Sequence, residues 1–378
     1  MATDPASAGF EGWWEPLYTA DEMRAAEEAD EGGTLELMER AGLATAEAAL
    51  RSYPDARRFS VWCGTGSNGG DGLVVARVLH EAGRDVEVLL GGAEEKIRGD
   101  AAENLRRARE VGVPFAAAPE AADVVVDALF GTGFSGAPRE PAAALIDALN
   151  AAEARVLSVD VPSGVDASTG RVAGGAVRAE RTVTFHGRKL GLVVAPGRFH
   201  TGEVEVADIG LAPRETQNRR LDASVLRLVP RRGPRDNKYT AGYVALVGGS
   251  PGLTGAPSLT AEAAMRAGAG YVRACVPARA HHVFEQRLVE VVTTPCACDE
   301  DGRLVPAAAD GLLELAARAD AVALGPGLGR SDGTRELVRL LLAGLDLPVV
   351  LDADGLWALA GHLDWVSRRD QATVLTPH

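Results

Sequence analysis

Aromatic residues make up only 5% of the 378, and cysteine and methionine number four each. Four cysteines are too few for a disulfide framework in a chain of this length. The opening MATDPASAGFEGWWEP has neither the basic segment nor the apolar core of a secretory signal, so free thiols in a reducing cytoplasm are expected. No apolar run approaches the roughly 20 residues that cross a bilayer, which excludes a membrane span. Positive charge is in deficit: 39 Lys and Arg stand against 53 Asp and Glu, a net charge of −14. Such a surface repels nucleic acid and anionic lipid, leaving small-molecule chemistry as the favoured class.

What is present is length, glycine and hydrophobic alternation. The 378 residues, 44 of them Gly and 46% hydrophobic, exceed one core and predict two α/β domains. After a tail at 1–16, expected to be disordered, helices are predicted over 21–30 and 34–50. Strands follow at 86–90, 124–129, 155–159 and 181–185, with helices over 96–111 and 141–152. Strands alternating with helices imply a mainly parallel sheet. A first domain over 17–212, an Arg- and Pro-rich linker over 213–236 with the boundary near 230, and a second α/β domain over 237–378 complete the expected plan. In the second domain strands at 243–247, 271–276 and 373–375 and a helix at 258–267 restart the alternation.

The richest stretch is VWCGTGSNGGDGLVVAR, residues 61–77, where an apolar strand runs through close glycines into a helix. Gly64, Gly66 and Gly69 fit G-x-G-x-x-G, which lets backbone N–H groups approach a pyrophosphate. Two details argue against an ordinary nicotinamide dehydrogenase. Asp71 places a carboxylate where the helix N-terminus would meet phosphate, and the next strand ends in Gly91-Gly92 rather than the acidic ribose anchor.

Polar residues gather after one strand end after another, as they do where open parallel sheets bind ligands. Asn68, Asp127 and Ser163 offer oxygens suited to an alkali or alkaline-earth cation; the same residues also serve as turn and helix caps. Asp160 closes the apolar run 156–159. Desolvation there would raise its pKa and suit proton transfer, and a turn-capping role is the alternative.

The segments GTGSNGGDGLVVAR, DALFGTGFSG and SVDVPSGVDASTG, preceded by LMERAG, closely resemble the NAD(P)H-hydrate epimerase domain. The resemblance implies a Rossmann-like three-layer αβα domain that interconverts the R and S forms of 6-hydroxylated NADH or NADPH. It further implies substrate loops at Ser67, Asn68, Gly69, Gly70 and Asp71 and at Gly131, Thr132, Gly133, Phe134, Ser135, Gly136 and Ala137. A substrate contact at Asp160 and a K⁺ site of Asn68, Asp127 and Ser163 come with it. Ser67 departs from the family, where many members have Asn. Opening and re-forming the C6–O bond needs an acid/base, and Asp160 is the expected catalytic residue.

The second half, with NKYTAGYVALVGGSPGLTGAPSLTAEAAMRAGAGYV, ALGPGLGRS, LDADGL and LTPH, resembles the ADP-dependent NAD(P)H-hydrate dehydratase, a ribokinase-like fold. This implies ADP as phosphoryl donor with Mg²⁺, and substrate contacts at Ala256, Gly327 and His378, with Asp352 and Asp354 near the cleft. The family's later G-T-G-D segment would fall beyond His378, so a partial domain without dehydratase competence is expected in these residues. A sugar or vitamin kinase and a non-catalytic scaffold are the rival readings. The kinase needs a complete G-x-G-D anion hole; the scaffold would be favoured by loss of Asp127 or Asp160, and both are present. A cytoplasmic homo-oligomer is expected. Cys296 and Cys298 read as packing residues rather than a metal site, since His281 and His282 are adjacent and no second pair has zinc spacing. Trp13 and Trp14 either dock on a partner subunit or cover an apolar patch of their own domain.

Overall fold

The computed structural model describes residues 14–378, which form two compact α/β units, divided between Leu228 and Val229. In chain order the first unit contains β1 (Trp14–Tyr18), α1 (Ala20–Glu27), α2 (Thr34–Ser52), β2 (Arg58–Cys63), α3 (Ser67–Glu81), β3 (Asp85–Leu90), α4 (Gly99–Glu110), β4 (Phe115–Ala116) and β5 (Val124–Ala128). It continues with α5 (Ala142–Ala151), β6 (Arg155–Val159), β7 (Arg181–Phe185), β8 (Arg188–Lys189), β9 (Glu203–Ala207) and β10 (Asn218–Leu221). Seven strands form a parallel sheet in the order β4-β3-β2-β5-β6-β7-β9. Chain order reverses between β2 and β5, and such a reversal opens a crevice beyond the carboxyl ends of the two strands.

Strand alternation sets the layers. Phe59, Val61 and Cys63 point with Val124, Val126 and Ala128 into a core shared with α2, α3 and α4. Trp62 and Val125 point to the opposite face, against Ile146 and Leu149 of α5. By the same parity Asp127 and Ser158, paired in register, share the α5 face. Gly42, in the LMERAG segment, lets α2 approach α3: a Cβ there would fall 2.3 Å from Val74 Cβ.

Two expectations change. Strand β1 begins inside the expected tail, pairing antiparallel with β10 and parallel with β8; residues 1–13 lie outside the described part. The expected linker, 213–236, therefore contributes β10 to the first unit, and Arg220 reaches Glu15 at 2.5 Å. Arg219 covers the Trp14 ring at 4.1 Å, so Trp14 is satisfied within its own unit, while Trp13 lies outside the described residues.

The second unit contains β11 (Tyr243–Val247), α6 (Gly255–Ala267), β12 (Tyr271–Pro277), α7 (His281–Arg287), β13 (Val292–Cys296), α8 (Ala309–Ala316), β14 (Ala321–Leu324) and α9 (Asp332–Gly344). It ends with β15 (Val349–Leu351), α10 (Asp354–Ala358), α11 (Asp364–Ser367) and β16 (Thr373–Leu375). Its parallel sheet runs β13-β12-β11-β14-β15-β16, with α6 and α7 over one face and α8 and α9 over the other. No described helix is long and apolar enough to cross a membrane.

Candidate active site

Beyond the carboxyl ends of β2 and β5 lies a cavity of about 640 Å³. Its floor is the β2–α3 loop. A Cβ at Gly64 would meet the Leu129 carbonyl oxygen at 2.0 Å, and one at Gly69 would meet the Gly64 carbonyl oxygen at 1.9 Å. Both glycines are required by close backbone approach, which holds the N-terminus of α3 against the crevice. Gly66, at the N-cap, has no side-chain cap, leaving the first N–H groups of α3 for a ligand.

Of the expected substrate-loop residues, Ser67, Asn68 and Asp71 line the cavity with Gly131, Thr132, Gly133, Phe134 and Ser135. Gly69 and Gly70 are packed behind the wall, and Gly136 and Ala137 lie outside it. Phe130 and Phe134 stack in the wall, ring centroids 4.7 Å apart. Asp160 lines the same cavity.

Asp160 departs from its sequence expectation. It follows β6 with φ 65°, a left-handed conformation that costs energy at a non-glycine residue and persists where surroundings enforce it. Those surroundings are the Thr132 N–H at 2.9 Å and the Thr132 hydroxyl on Oδ2, with Lys189 Nζ at 2.6 Å and the Thr184 hydroxyl at 3.3 Å on Oδ1. Burial pushes the carboxyl up, but the Lys189 ammonium and these donors outweigh it, holding the pKa below the ordinary carboxylate value. These contacts favour the ionised form of the Asp160 carboxyl in the resting site.

Two carboxyls of the cavity are raised, Glu27, by burial and then the charge of Asp160, and Asp71, which lies deeper in the site. Asp71 is the fifth residue of α3 and not at its N-terminus, so it leaves the terminal N–H groups free instead of blocking them. Burial, then the charges of Asp160 and Glu27, hold its pKa well above the carboxylate range, with Lys189 only partly offsetting them. Sequence reasoning missed Lys189, a fully buried lysine whose Nζ also donates to Thr184 Oγ1 and the Phe185 carbonyl at 2.9 Å each.

Asp127 is fully buried beneath this wall. Its Oδ1 accepts from the Ser163 hydroxyl at 2.5 Å and the Leu129 N–H at 3.3 Å; its Oδ2 accepts from the Ser158 hydroxyl at 2.8 Å and the Ser163 N–H at 2.9 Å. Burial still leaves its pKa raised. Ser163 Oγ also accepts from the Phe130 N–H at 2.9 Å. Asn68 packs against Gly131 of the same loop, and its buried Nδ2 has no partner. The structure therefore joins Asp127 directly to Ser163 and sets Asn68 across the Leu129–Thr132 loop from them.

In the second unit the loops after β11, β14 and β15 close on one another. Gly249 N–H donates to the Pro326 carbonyl at 2.9 Å and the Ser250 hydroxyl to the Gly327 carbonyl at 2.9 Å. Gly325 and Gly327 have φ 122° and 67°, and a Cβ at Gly325 would meet the Asp352 carbonyl at 2.0 Å. Asp354 accepts from the Gly329 N–H at 3.0 Å and Asp352 from the Thr376 hydroxyl at 2.8 Å. Ala256 sits in the first turn of α6, Gly327 in the β14 loop, and His378 is exposed beyond β16. Among the described residues no group of three or more His, Cys, Asp or Glu is placed to hold a metal ion.

Residues 34–191 match the family of the YjeF-related protein N-terminus, and residues 244–378 match the NAD(P)H-hydrate dehydratase family. The bifunctional NAD(P)H-hydrate repair enzyme Nnr of Salinibacter ruber is 41% identical over 99% of this chain and 76% of its own length. The chain belongs to the bifunctional NAD(P)H-hydrate repair enzyme family. The same family's enzymes from Moorella thermoacetica and Escherichia coli are 43% and 36% identical, over 90% and 100% of this chain and 68% and 72% of their own. Among solved structures, yeast YNL200c covers 54% of this chain and 97% of its own, at 22% identity and TM-score 0.45. The ADP/ATP-dependent NAD(P)H-hydrate dehydratase of Bacillus subtilis, co-crystallised with ATP/Mg²⁺, covers 40% of this chain and 50% of its own, at 29% identity and TM-score 0.31. The two family matches fall one in each structural unit.

Proposed function

We propose that the first unit epimerises R- and S-NAD(P)H-hydrates at C6 in the cavity between β2 and β5, with Asp71 and Asp160 as acid and base. The observation that carries this reading is one cavity in which, of three carboxyl groups, burial raises the pKa of Asp71 while Lys189 lowers that of Asp160, which is how one site can supply both proton states. Protonated Asp71 gives its proton to the C6 hydroxyl as the C–O bond breaks, releasing water and leaving a cationic ring. Ionised Asp160 stabilises that cation electrostatically. Water then adds to the other face of C6 and yields its proton to Asp160. The proton gained by Asp160 then passes through solvent back to Asp71, a return that Lys189 favours by stabilising ionised Asp160; the reverse epimerisation runs the same steps backwards, with protonated Asp160 as the donor and ionised Asp71 as the acceptor.

Ser67, Asn68, Gly131, Thr132, Gly133, Phe134 and Ser135 would hold the dinucleotide, the N–H groups of α3 facing its phosphate. The oxygens of Asn68, Asp127 and Ser163 suit K⁺: one carboxylate with neutral oxygens is a weak, hard donor set. The buried Asp127 carboxyl, its pKa raised by desolvation, is a group that a cation would stabilise in its ionised form, and Asn68 would have to turn its Oδ1, not the unpartnered Nδ2 donor, toward the ion. K⁺ there would supply positive charge beneath the substrate's phosphate.

For the second unit, we propose that an ADP-dependent dehydratase site lies along the β11, β14 and β15 loops, with Ala256, Gly327 and His378 as substrate contacts and Mg²⁺ accompanying the nucleotide. Incubating the protein with pure R-NADHX and following both epimers by chromatography tests the epimerase reading. Equilibration lost in Asp160→Ala and Asp71→Asn supports it; an R-form that stays unchanged with the wild-type protein rejects it.

A further inference from the structure

Helix α1 closes one side of the epimerase cavity, and Ala20, Arg24 and Glu27 are in the wall. Its placement is enforced. The Ala20 N–H donates to the Ser168 hydroxyl at 2.9 Å, Thr19 and Glu22 form a reciprocal capping box, and Tyr18 of the preceding strand is in register with Lys189. The helix thus approaches the catalytic carboxylates from a segment that neither substrate loop includes.

The charges on this wall are unequal to the ligand. Asp160 and Glu27 line the cavity as acids beside the protonated Asp71 proposed above, and Lys189 lies buried behind Asp160, its charge taken up by that carboxylate. Among the described lining residues Arg24 is the one cationic side chain. A hydrated dinucleotide carries at least the two charges of its pyrophosphate. In a chain of net charge −14, local donors must offset those charges. Arg24 is free to do so. Its side chain is 60% exposed, and its ion-pair partner is Asp21, 90% exposed and 3.3 Å away; an exposed pair of this kind contributes little and exchanges readily. A guanidinium also matches phosphate oxygens in a bidentate fork.

We propose that Arg24 is a phosphate-binding residue of the epimerase site. It supplies affinity for the dinucleotide and takes no part in proton transfer. The inference rests on the epimerase reading of this cavity. Its source is either the pyrophosphate common to both hydrates or the additional phosphate of NADPHX, and the experiment separates them.

Steady-state epimerisation of NADHX and NADPHX by Arg24→Ala should show KM raised at least about tenfold, the loss of one charge-assisted contact, with kcat held. Arg24→Lys should recover part of the loss, and Glu27→Gln, which removes a neighbouring negative charge, should shift KM the opposite way. A rise for both hydrates assigns the pyrophosphate; a rise for NADPHX alone assigns the extra phosphate. Calorimetric titration of the full chain with NAD⁺ and NADP⁺ gives the same comparison without turnover, so a protein that binds but does not epimerise rejects the proposed chemistry and not this contact. Unchanged KM for both hydrates together with unchanged affinity for NAD⁺ and NADP⁺ overturns the proposal, as does an Arg24→Ala loss confined to kcat.

Discussion

Lys189 Nζ lies 2.6 Å from Asp160 Oδ1, and both side chains are buried, Asp160 in the wall of the cavity and Lys189 behind it. The pair decides which carboxyl of the cavity is ionised. Removing one partner of a buried ion pair costs about 3–5 kcal/mol, because the other is left as an uncompensated charge. Lys189→Met should therefore lower the unfolding free energy by about that much, measured by chemical denaturation. The double variant Lys189→Met with Asp160→Asn should recover most of the loss. A single variant as stable as wild type would contradict the pairing.

Stability should vary with pH in two opposed ways. For Asp71 and Asp127 the folded pKa lies above the unfolded one, so the native state binds more protons in between and stability falls as pH rises through that window. For Asp160 the folded pKa is depressed; its contribution is present above the unfolded pKa and lost as pH falls through the folded one. Asp71→Asn should flatten the decline in unfolding free energy as pH rises above the unfolded carboxylate pKa and leave the acid limb set by Asp160 in place. Denaturation at a series of pH values checks the difference, and a variant whose curve parallels wild type would exclude Asp71 as a raised carboxyl.

Glycines of the same loop should differ in tolerance. Gly69→Ala drives a Cβ into the Gly64 carbonyl oxygen, an overpacking cost of about 1–3 kcal/mol. Gly66 has open space and an ordinary φ of −100°, so Gly66→Ala should stay within about 1 kcal/mol of wild type. Thermal unfolding of the two variants ranks them.

Monovalent cations should separate by type. On the proposed cation site, K⁺ held by Asn68, Asp127 and Ser163 would stabilise the folded state by mass action, raising the thermal midpoint over the same concentration of choline. Asp127→Asn should abolish that difference. An equal midpoint in both salts with the wild-type protein would remove the cation from the account.

Much of this architecture was legible in the sequence because the buried strands are short apolar runs bounded by glycine or acidic residues. The β2–α3 turn, β5, β6 and β7 fall close to where alternation placed them. The small sheet of β1, β8 and β10 was hidden: NRRL has no apolar alternation, and WEPLY contains a proline that argues against a strand. Asp127 and Ser163 stood out as polar residues at strand ends, and the fold joins them. The proton state of Asp160 was misjudged because its counter-ion comes from β8, far along the chain, where one lysine in RKLG carries no motif. Asp71 was placed at the helix terminus, although only helical geometry puts it one turn in with its carboxyl in the cavity wall.

The central claim is that Asp71 and Asp160 face one cavity in opposite protonation states at neutral pH. Carboxyl ¹³C NMR of the aspartate-labelled protein, with Asp71→Asn and Asp160→Asn difference spectra to assign the two signals, measures this directly. The account predicts a protonated Asp71 signal that titrates above the ordinary carboxylate range and an Asp160 signal already ionised below it. Two ionised carboxylates at neutral pH, or a protonated Asp160 beside an ionised Asp71, would contradict it.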